Sequence, residues 1–218
     1  MLTDTELVIF DWDGTLMDSV GRIVSSMQGA ALALGLDKPS DQEVRDIIGM
    51  SLRPAVQTLF TDLEADGVER VVSAYRDQYL ELNTTPTPLF SGVEAMLREL
   101  KSQGRQLAVA TGKARPGLER VFKATGLKPL FTTSRTADEA QSKPHPDMLA
   151  QILAETGVAA KRALMIGDST LDMHMAKSAG VRALGVSFGV HSPEHLLAAG
   201  ASDIVHCWRQ WPKLALAD

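Results

Sequence analysis

Leu7-Val8-Ile9-Phe10-Asp11-Trp12-Asp13-Gly14-Thr15 is the stretch from which the rest of the chain can be understood. Its first four residues are apolar and two of them are β-branched, which predicts a strand buried on both faces, as in a parallel sheet. The strand ends in Asp11 and Asp13, and two neighbouring carboxylates are unfavourable unless a cation or a shared proton accompanies them. The stretch therefore predicts a metal or proton site at the carboxyl end of the first strand.

Composition excludes several classes of protein. The chain has 218 residues, of which 44% are hydrophobic, so it can form one large domain or two unequal ones. A net charge of -5 with scattered Lys and Arg predicts no nucleic-acid partner. The single cysteine, Cys207, excludes an intrachain disulfide. The acidic start resembles no secretory signal and no apolar run reaches the ~20 residues that cross a bilayer, so we expect no membrane partner and a cytoplasmic location.

The hydrophobic pattern divides the chain into a helical block and an alternating block. Residues 17–83 carry helical spacing only, and they end at the stiff linker Thr84-Thr85-Pro86-Thr87-Pro88. The helices predicted there cover residues 19–34, 41–48, 52–60 and 68–82. Beyond the linker, helices alternate with strands predicted at Gln106–Ala110, Leu130–Thr133, Ala163–Ile166, Val181–Val186 and Asp203–Val205.

This alternation predicts an α/β fold with a doubly wound, Rossmann-like parallel sheet and an inserted all-helical cap. The predicted core covers residues 1–16 and 84–218, and the predicted cap covers residues 17–83. The insertion follows the first strand, whose carboxyl end faces the ligand crevice of such sheets. The cap is therefore placed to act as a lid.

Polar residues follow the predicted strands at the edge where ligands of such sheets bind. They are Asp11, Asp13, Thr111, Lys143 and Asp168, with Asp172 four residues later. This set suits phosphoryl transfer, which needs a nucleophile, a cation against the phosphate charge and a proton for the leaving oxygen. Asp11 can attack phosphorus and form an aspartyl-phosphate, while Asp13 transfers the proton. Lys143 and Thr111 can hold the phosphate, and Asp11 with Asp168 can bind Mg²⁺.

Four motifs in this order resemble those of the haloacid dehalogenase-like superfamily, and most of all its phosphoglycolate-phosphatase-like branch with a helical cap. They are Asp11-Trp12-Asp13-Gly14-Thr15, Ala110-Thr111-Gly112-Lys113, Lys143-Pro144-His145-Pro146 and Gly167-Asp168-Ser169-Thr170-Leu171-Asp172. The resemblance implies that Asp11 is the nucleophile and that Asp13 is both the acid/base and a backbone metal ligand. It implies phosphate contacts for Thr111 and Lys143, and metal binding for Asp168. Asp172 matches the second acidic position of the fourth motif, in the outer shell of the metal.

The sequence departs from the family pattern at two positions. Trp12 stands where a smaller apolar residue is more common, and we expect it to pack in the core. Gly112 stands where related enzymes often carry asparagine, so its substrate contact would come from the backbone. The charges that follow, Lys113 and Arg115, are expected to be solvated, although they could face the crevice.

The cap offers two further candidates. The turn Gly49-Met50-Ser51-Leu52-Arg53 resembles the cap loop that selects substrates in this family. We hypothesise that Ser51 or Arg53 contacts the leaving group, against the alternative that Arg53 only begins a helix.

The expected function is a Mg²⁺-dependent phosphatase that acts on a small phosphorylated metabolite of the phosphoglycolate type. A phosphomutase of the β-phosphoglucomutase type remains an alternative, since the same intermediate can pass to a sugar. A haloacid dehalogenase is disfavoured, because its reaction needs no metal and that branch lacks the second aspartate found here at Asp13. A non-catalytic phosphate-binding module is a fourth alternative, and both a monomer and a homodimer are compatible with the sequence.

Overall fold

The centre of the molecule is a six-stranded parallel sheet. The computed structural model describes residues 4–211, and its strands run in the order β3-β2-β1-β4-β5-β6. They are β1 (Leu7–Phe10), β2 (Gln106–Ala110), β3 (Thr133–Arg135), β4 (Ala163–Gly167), β5 (Arg182–Val186) and β6 (Ile204–Val205). The apolar run at the start of the chain forms β1, between β2 and β4, and all four of its residues are buried. Asp11 therefore leaves the sheet at its middle.

Helices cover both faces of the sheet. They are α5 (Val93–Ser102), α6 (Arg115–Thr125), α7 (Asp147–Thr156), α8 (Thr170–Ser178) and α9 (Pro193–Ala199). Alternate residues of β1 enter two separate apolar clusters, with Val8 and Phe10 on one face and Leu7 and Ile9 on the other. The sheet is thus buried on both sides, which confirms the predicted α/β class.

The segment between β1 and α5 is helical and has an apolar cluster of its own. It contains α1 (Val20–Ala33), α2 (Asp41–Asp46), α3 (Leu52–Leu59), α4 (Ala65–Asp77) and a π-helical turn (Gln78–Leu82). Val24, Met27, Val56 and Val71 are buried among these helices. The division of the chain at residues 16 and 84 stays a prediction. Across residues 4–211, no helix combines the length and the apolar character that crossing a bilayer requires.

Several element boundaries differ by one or two residues from the sequence prediction, and two elements differ more. The third strand was expected at residues 130–133 but lies at Thr133–Arg135, because Lys128–Leu130 forms a 3₁₀ turn. Leu130 and Phe131 are apolar because they pack against the core beside the sheet. The helix expected over residues 68–82 begins earlier, at Ala65, and changes to π geometry after Asp77.

Trp12 is fully buried, as expected from its position between the two aspartates. Its ring meets that of Phe122 edge to face, with 5.3 Å between the ring centroids. The side chain therefore supports the turn after β1 from the core.

Candidate active site

A buried lysine joins two of the predicted site carboxylates. Nζ of Lys143 lies 2.8 Å from Oδ1 of Asp11 and 2.7 Å from Oδ1 of Asp172. The Lys143 side chain is fully inaccessible to solvent, and the side chain of Asp11 is only 2% exposed. The backbone N–H of Asp11 donates to the carbonyl of Ile166 (2.9 Å), which continues the β1–β4 ladder by one residue. The sheet thus fixes Asp11, and Asp11 in turn fixes the ammonium group.

Helix capping orients Asp172. Ser169 caps α8 and Asp172 occupies the third helical position, so that the two form a capping box. Oδ2 of Asp172 accepts hydrogen bonds from the hydroxyl and the backbone N–H of Ser169, at 2.6 and 3.1 Å. Its other oxygen is left to face Lys143. The same local pattern that begins the helix therefore aims a carboxylate into the site.

Asp168 follows β4 and is held from two sides. Its Oδ1 accepts from the hydroxyl of Thr15 (2.9 Å), and its Oδ2 accepts from the backbone N–H of Val190 (2.9 Å). Gly14 has φ of 75°, and a Cβ atom there would lie only 2.1 Å from Oδ2 of Asp168. Glycine is required at position 14 both by this backbone conformation and by the close approach of the carboxylate.

Burial determines the electrostatics of this group. Desolvation raises the pKa of Asp11 to about 7; Lys143 opposes this, while Asp172 and Asp13 add to it. Desolvation, with Asp11 and Asp172 nearby, raises the pKa of Asp168 well above its usual value. Burial alone would lower the pKa of Lys143, but Asp11 and Asp172 outweigh that effect and raise it. The single positive charge of Lys143 therefore does not balance the negative charges that Asp11, Asp168 and Asp172 carry when all three are ionised.

The arrangement fits a hard divalent cation. Asp11, Asp168 and Asp172 each offer a carboxylate oxygen, and the three oxygens lie within 4.8 Å of one another in a buried position. An all-oxygen, negatively charged set is what Mg²⁺ binds, usually with waters and substrate phosphate oxygens. We call Asp11, Lys143, Asp168 and Asp172 the buried cluster. The predicted backbone contribution of Asp13 to the metal stays a prediction.

The carboxylate of Asp13 is directed to different partners. Its Oδ2 lies 2.9 Å from Nζ of Lys113, and its Oδ1 accepts from the hydroxyl of Ser19 (2.5 Å). The side chains of Asp13 and Lys113 are only 12% and 11% exposed. The expectation that Lys113 is solvated is wrong, because the ammonium is buried against a carboxylate. Arg115 is more accessible and pairs with Glu139 (2.5 Å).

Tyrosines of the insertion complete the surroundings of Asp13. The Lys113 ammonium lies 5.2 Å from the ring centroid of Tyr79, and the ring of Tyr75 lies 5.8 Å from that of Tyr79. Burial raises the pKa of both tyrosines, and the charge of Asp13 raises each further. Neither tyrosine was predicted as a site residue from the sequence. The sequence feature that could have identified them is their spacing: Tyr75 and Tyr79 lie four residues apart, and each carries a polar hydroxyl on an apolar ring.

Thr111 and Gly112 follow β2, next to the end of β1. Thr111 is fully buried, and its hydroxyl oxygen accepts from the backbone N–H of Lys113 (3.2 Å). A Cβ atom on Gly112 would lie 2.7 Å from the carbonyl oxygens of both Gly49 and Met50. The backbone N–H of Ser51 donates to the hydroxyl of Ser142 (2.9 Å). The loop of the insertion is therefore seated directly on the loops that carry Thr111 and Lys143.

Arg53 is directed away from this contact. Its guanidinium pairs with Glu69 of α4, and its side chain is 55% exposed. The structure thus brings together Asp11, Lys143, Asp168 and Asp172, sets Asp13 beside them, and leaves Arg53 in a surface ion pair within the insertion.

A family model described as "Haloacid dehalogenase-like hydrolase" matches residues 8–186. The chain belongs to this family of hydrolases. The match begins in β1 and ends with β5, so it includes the segments that carry every residue of the buried cluster.

Individual proteins are similar to the chain over most of its length. The chain is 38% identical over 203 residues to "Probable phosphatase IndB" of Dickeya dadantii, covering 91% of this chain and 88% of that protein. It is 31% identical over 202 residues to "Tyrosine-protein kinase PtkA" of Mycobacterium bovis, covering 92% and 68%. Among solved structures, a predicted phosphoglycolate phosphatase from Haemophilus somnus matches with a TM-score of 0.87 at 25% identity, covering 98% and 99%. These comparisons confirm the predicted family, fold and enzyme class, a phosphatase of the haloacid dehalogenase-like type.

Proposed function

We propose that the chain is a Mg²⁺-dependent phosphatase that hydrolyses a small phosphorylated metabolite of the phosphoglycolate type. The observation that carries the proposal is the buried cluster, in which the ammonium of Lys143 bridges the carboxylates of Asp11 and Asp172. With the carboxylate of Asp168, these two provide three oxygens close enough together to bind one metal ion. Burying several charges is costly, so a site of this kind needs a reason beyond stability. Phosphoryl transfer supplies one, because it needs a nucleophile and positive charge at the same point.

In the proposed reaction Asp11 is the nucleophile. Its carboxylate attacks phosphorus, the bond to the leaving oxygen breaks, and an aspartyl-phosphate forms. Asp13 gives its proton to the leaving oxygen and then takes one from the water that hydrolyses the intermediate. Lys143 and Thr111 hold phosphoryl oxygens and keep the phosphate in line with Asp11.

Asp11, Asp168 and the backbone of Asp13 are the proposed metal ligands, and Asp172 is proposed to support them while it holds Lys143. When bound, Mg²⁺ neutralises part of the negative charge on the transferring phosphoryl group. The loop at residues 49–51 closes over Gly112 and Ser142, which excludes bulk water from the intermediate. Substrate contacts by Ser51, by the backbone of Gly112 and by Arg53 remain proposals, and the ion pair of Arg53 with Glu69 argues against the last.

The test measures phosphate release from p-nitrophenyl phosphate and from a panel of phosphorylated metabolites, with and without Mg²⁺. Asp11→Asn should reduce turnover on the order of 10⁴-fold or more, because it removes the nucleophile and keeps the shape of the side chain. Asp62→Asn, at an exposed aspartate outside the site, is the matched control and should keep full activity. Undiminished turnover by the Asp11 variant would falsify the proposed mechanism.

Product analysis identifies the acceptor of the phosphoryl group. Water as acceptor gives inorganic phosphate, which the proposal requires. An isomerised sugar phosphate in place of phosphate would indicate a phosphomutase, and phosphotyrosine on an added protein would indicate the kinase activity for which one relative is named. Binding of Mg²⁺ and phosphate without any turnover would indicate a binding module.

A further inference from the structure

A second group of side chains, two cations and two tyrosines, lies where the insertion meets the core, near Asp13. It consists of Arg22, Tyr75, Tyr79 and Lys113, which we call the interface cluster. The guanidinium carbon of Arg22 lies 5.0 Å from the ring centroid of Tyr79, and the Lys113 ammonium lies 5.2 Å from the same centroid. Two cations thus share one aromatic ring, which offers each of them a cation–π contact.

The positive charge of this cluster is only partly offset. Lys113 is paired with Asp13, but Arg22 has no carboxylate partner within 4.0 Å among residues 4–211. Its described hydrogen bond runs from Nη1 to the carbonyl of Thr85 at 3.4 Å, a long distance for such a bond. Nε of Arg22 is buried and without a hydrogen-bond partner in the described part of the chain. A buried donor without a partner is costly, and a ligand that accepts its hydrogen bond removes that cost.

We infer that the interface cluster binds an anionic group, a carboxylate or a second phosphate, on the leaving group of the substrate, with Arg22 as the specificity residue. The inference rests on the proposed function, in which Asp13 meets the leaving oxygen. An anion beside Asp13 then lies next to Lys113, and Arg22 is on the same aromatic ring as Lys113. The planar guanidinium of Arg22 suits the paired oxygens of a carboxylate or phosphate.

The enclosure of the site indicates a short leaving group. Asp13 and Lys113 are almost inaccessible, and the loop at residues 49–51 is seated on Gly112 and Ser142. A leaving group must therefore place its anion within a few atoms of the oxygen that Asp13 protonates. A two-carbon hydroxy acid meets this condition.

Phosphomonoesters that differ in the charge of the leaving group test the inference. We expect kcat/KM for 2-phosphoglycolate to exceed that for neutral ethyl phosphate about tenfold or more, and that for cationic O-phosphoethanolamine by a larger factor. 1,3-Propanediol bisphosphate, used as a further substrate, distinguishes a phosphate from a carboxylate as the preferred anion. Equal kcat/KM for the anionic and neutral esters would overturn the inference.

Variants of Arg22 test whether this residue causes the preference for anionic over neutral esters. Arg22→Gln should lower the ratio of kcat/KM for 2-phosphoglycolate to that for ethyl phosphate about tenfold, mainly through KM, and Arg22→Lys should recover part of it. The control Arg76→Gln removes an exposed arginine of α4 and should leave the ratio unchanged. A ratio that stays within about twofold in Arg22→Gln would overturn the role of Arg22.

A binding measurement separates this inference from the proposed function. Calorimetry with 2-phosphoglycolate on Asp11→Asn, with and without Arg22→Gln, needs no turnover. About tenfold weaker binding in the double variant supports the subsite, and unchanged binding refutes it. A lack of phosphate release from every ester, p-nitrophenyl phosphate included, refutes the proposed function instead.

Discussion

The buried cluster and the interface cluster differ in where their residues come from. All four members of the buried cluster belong to the core: Asp11 and Asp168 directly follow strands, Lys143 lies in a loop, and Asp172 lies in the first turn of α8. Their side chains are essentially inaccessible. The interface cluster takes Lys113 from the core and Arg22, Tyr75 and Tyr79 from the insertion. The buried cluster is a property of the core alone, whereas the interface cluster exists only while the insertion lies against the core.

This difference suggests a division of labour. A site built on strand ends keeps its geometry whatever the insertion does, which suits groups that must meet phosphorus in one orientation. A site divided between two packed units changes when they separate, which suits recognition of the part of the substrate that varies. The chemistry and the selectivity are therefore expected to respond to different substitutions.

The largest expected effect comes from breaking the buried cluster. Lys143→Met leaves Asp11 and Asp172 without their common partner, and removal of one member of a buried ion pair costs roughly 3–5 kcal/mol. Turnover should fall on the order of 10³-fold or more, because the phosphate loses its nearest cation. Urea unfolding and steady-state kinetics measure the two losses.

Lys128→Met is the matched control for that variant. Lys128 pairs with Glu119 at the surface, with 62% of its side chain exposed, and such pairs contribute about 0–1 kcal/mol. Equal destabilisation in the two lysine variants would contradict the contrast drawn between buried and exposed pairs.

Magnesium should stabilise the protein, and more strongly at high pH. The pKa of Asp11 is about 7 in the folded protein against 3.8 for an ordinary aspartate. The unfolded chain therefore loses this proton at lower pH than the folded protein does, so metal-free stability falls as pH rises from about 4 to about 7. Asp168 shifts in the same direction. A cation that binds the ionised carboxylates offsets this loss.

At a hundredfold excess over its Kd, Mg²⁺ adds about 2.7 kcal/mol of stability, or roughly 5–10 °C in Tm for a chain of this size. Thermal melts at pH 5 and pH 8, with Mg²⁺ or with EDTA, measure the difference between the two conditions. Asp168→Asn should abolish most of the shift. A shift that is equal at both pH values would show that cation binding is not linked to these carboxylates.

Much of the buried cluster could be predicted from the sequence because three of its members, Asp11, Asp168 and Asp172, stand close to an element with a strong local signal. Asp11 directly follows an apolar run, and Asp172 lies at the third position of a helix that a serine caps. Parallel strands end at one edge, so these residues had to meet.

The interface cluster could not be predicted in this way. Arg22 and Tyr79 belong to helices whose packing against the core depends on tertiary contacts far apart in sequence. Lys113 has no local feature that separates a buried lysine from a solvated one, since its partner, Asp13, lies 100 positions away. The late start of the third strand was missed for a related reason, because the apolar Leu130 and Phe131 pack beside the sheet and not within it.

A smaller effect is expected from loosening the interface cluster at Lys113. Lys113→Met removes the partner that holds Asp13 while the hydroxyl of Ser19 still donates to it, so kcat for metabolites should fall roughly 10- to 100-fold. With p-nitrophenyl phosphate, whose leaving group departs without a proton, the loss should be several-fold smaller. Equal losses on both kinds of substrate would indicate that Lys113 does not act through Asp13.

The smallest expected effect comes from the contact that seats the insertion. Gly112 has no positive φ, so alanine there is acceptable to the backbone, but its Cβ would lie 2.7 Å from two carbonyl oxygens of the loop at residues 49–51. Gly112→Ala should push that loop outward by a fraction of an ångström and raise KM several-fold, with a change in stability of about 1 kcal/mol or less. Gly117→Ala is the control, since a Cβ at that helical position meets only the Lys113 side chain, at 3.8 Å.

Limited proteolysis reports closure of the loop at residues 49–51 directly. With a substrate analogue bound, a loop that no longer seats on Gly112 should be cleaved faster than the same loop in the control variant. If Gly112→Ala keeps the parental KM and cleavage rate, the loop does not close on this glycine, and the interface cluster would then have to assemble without it.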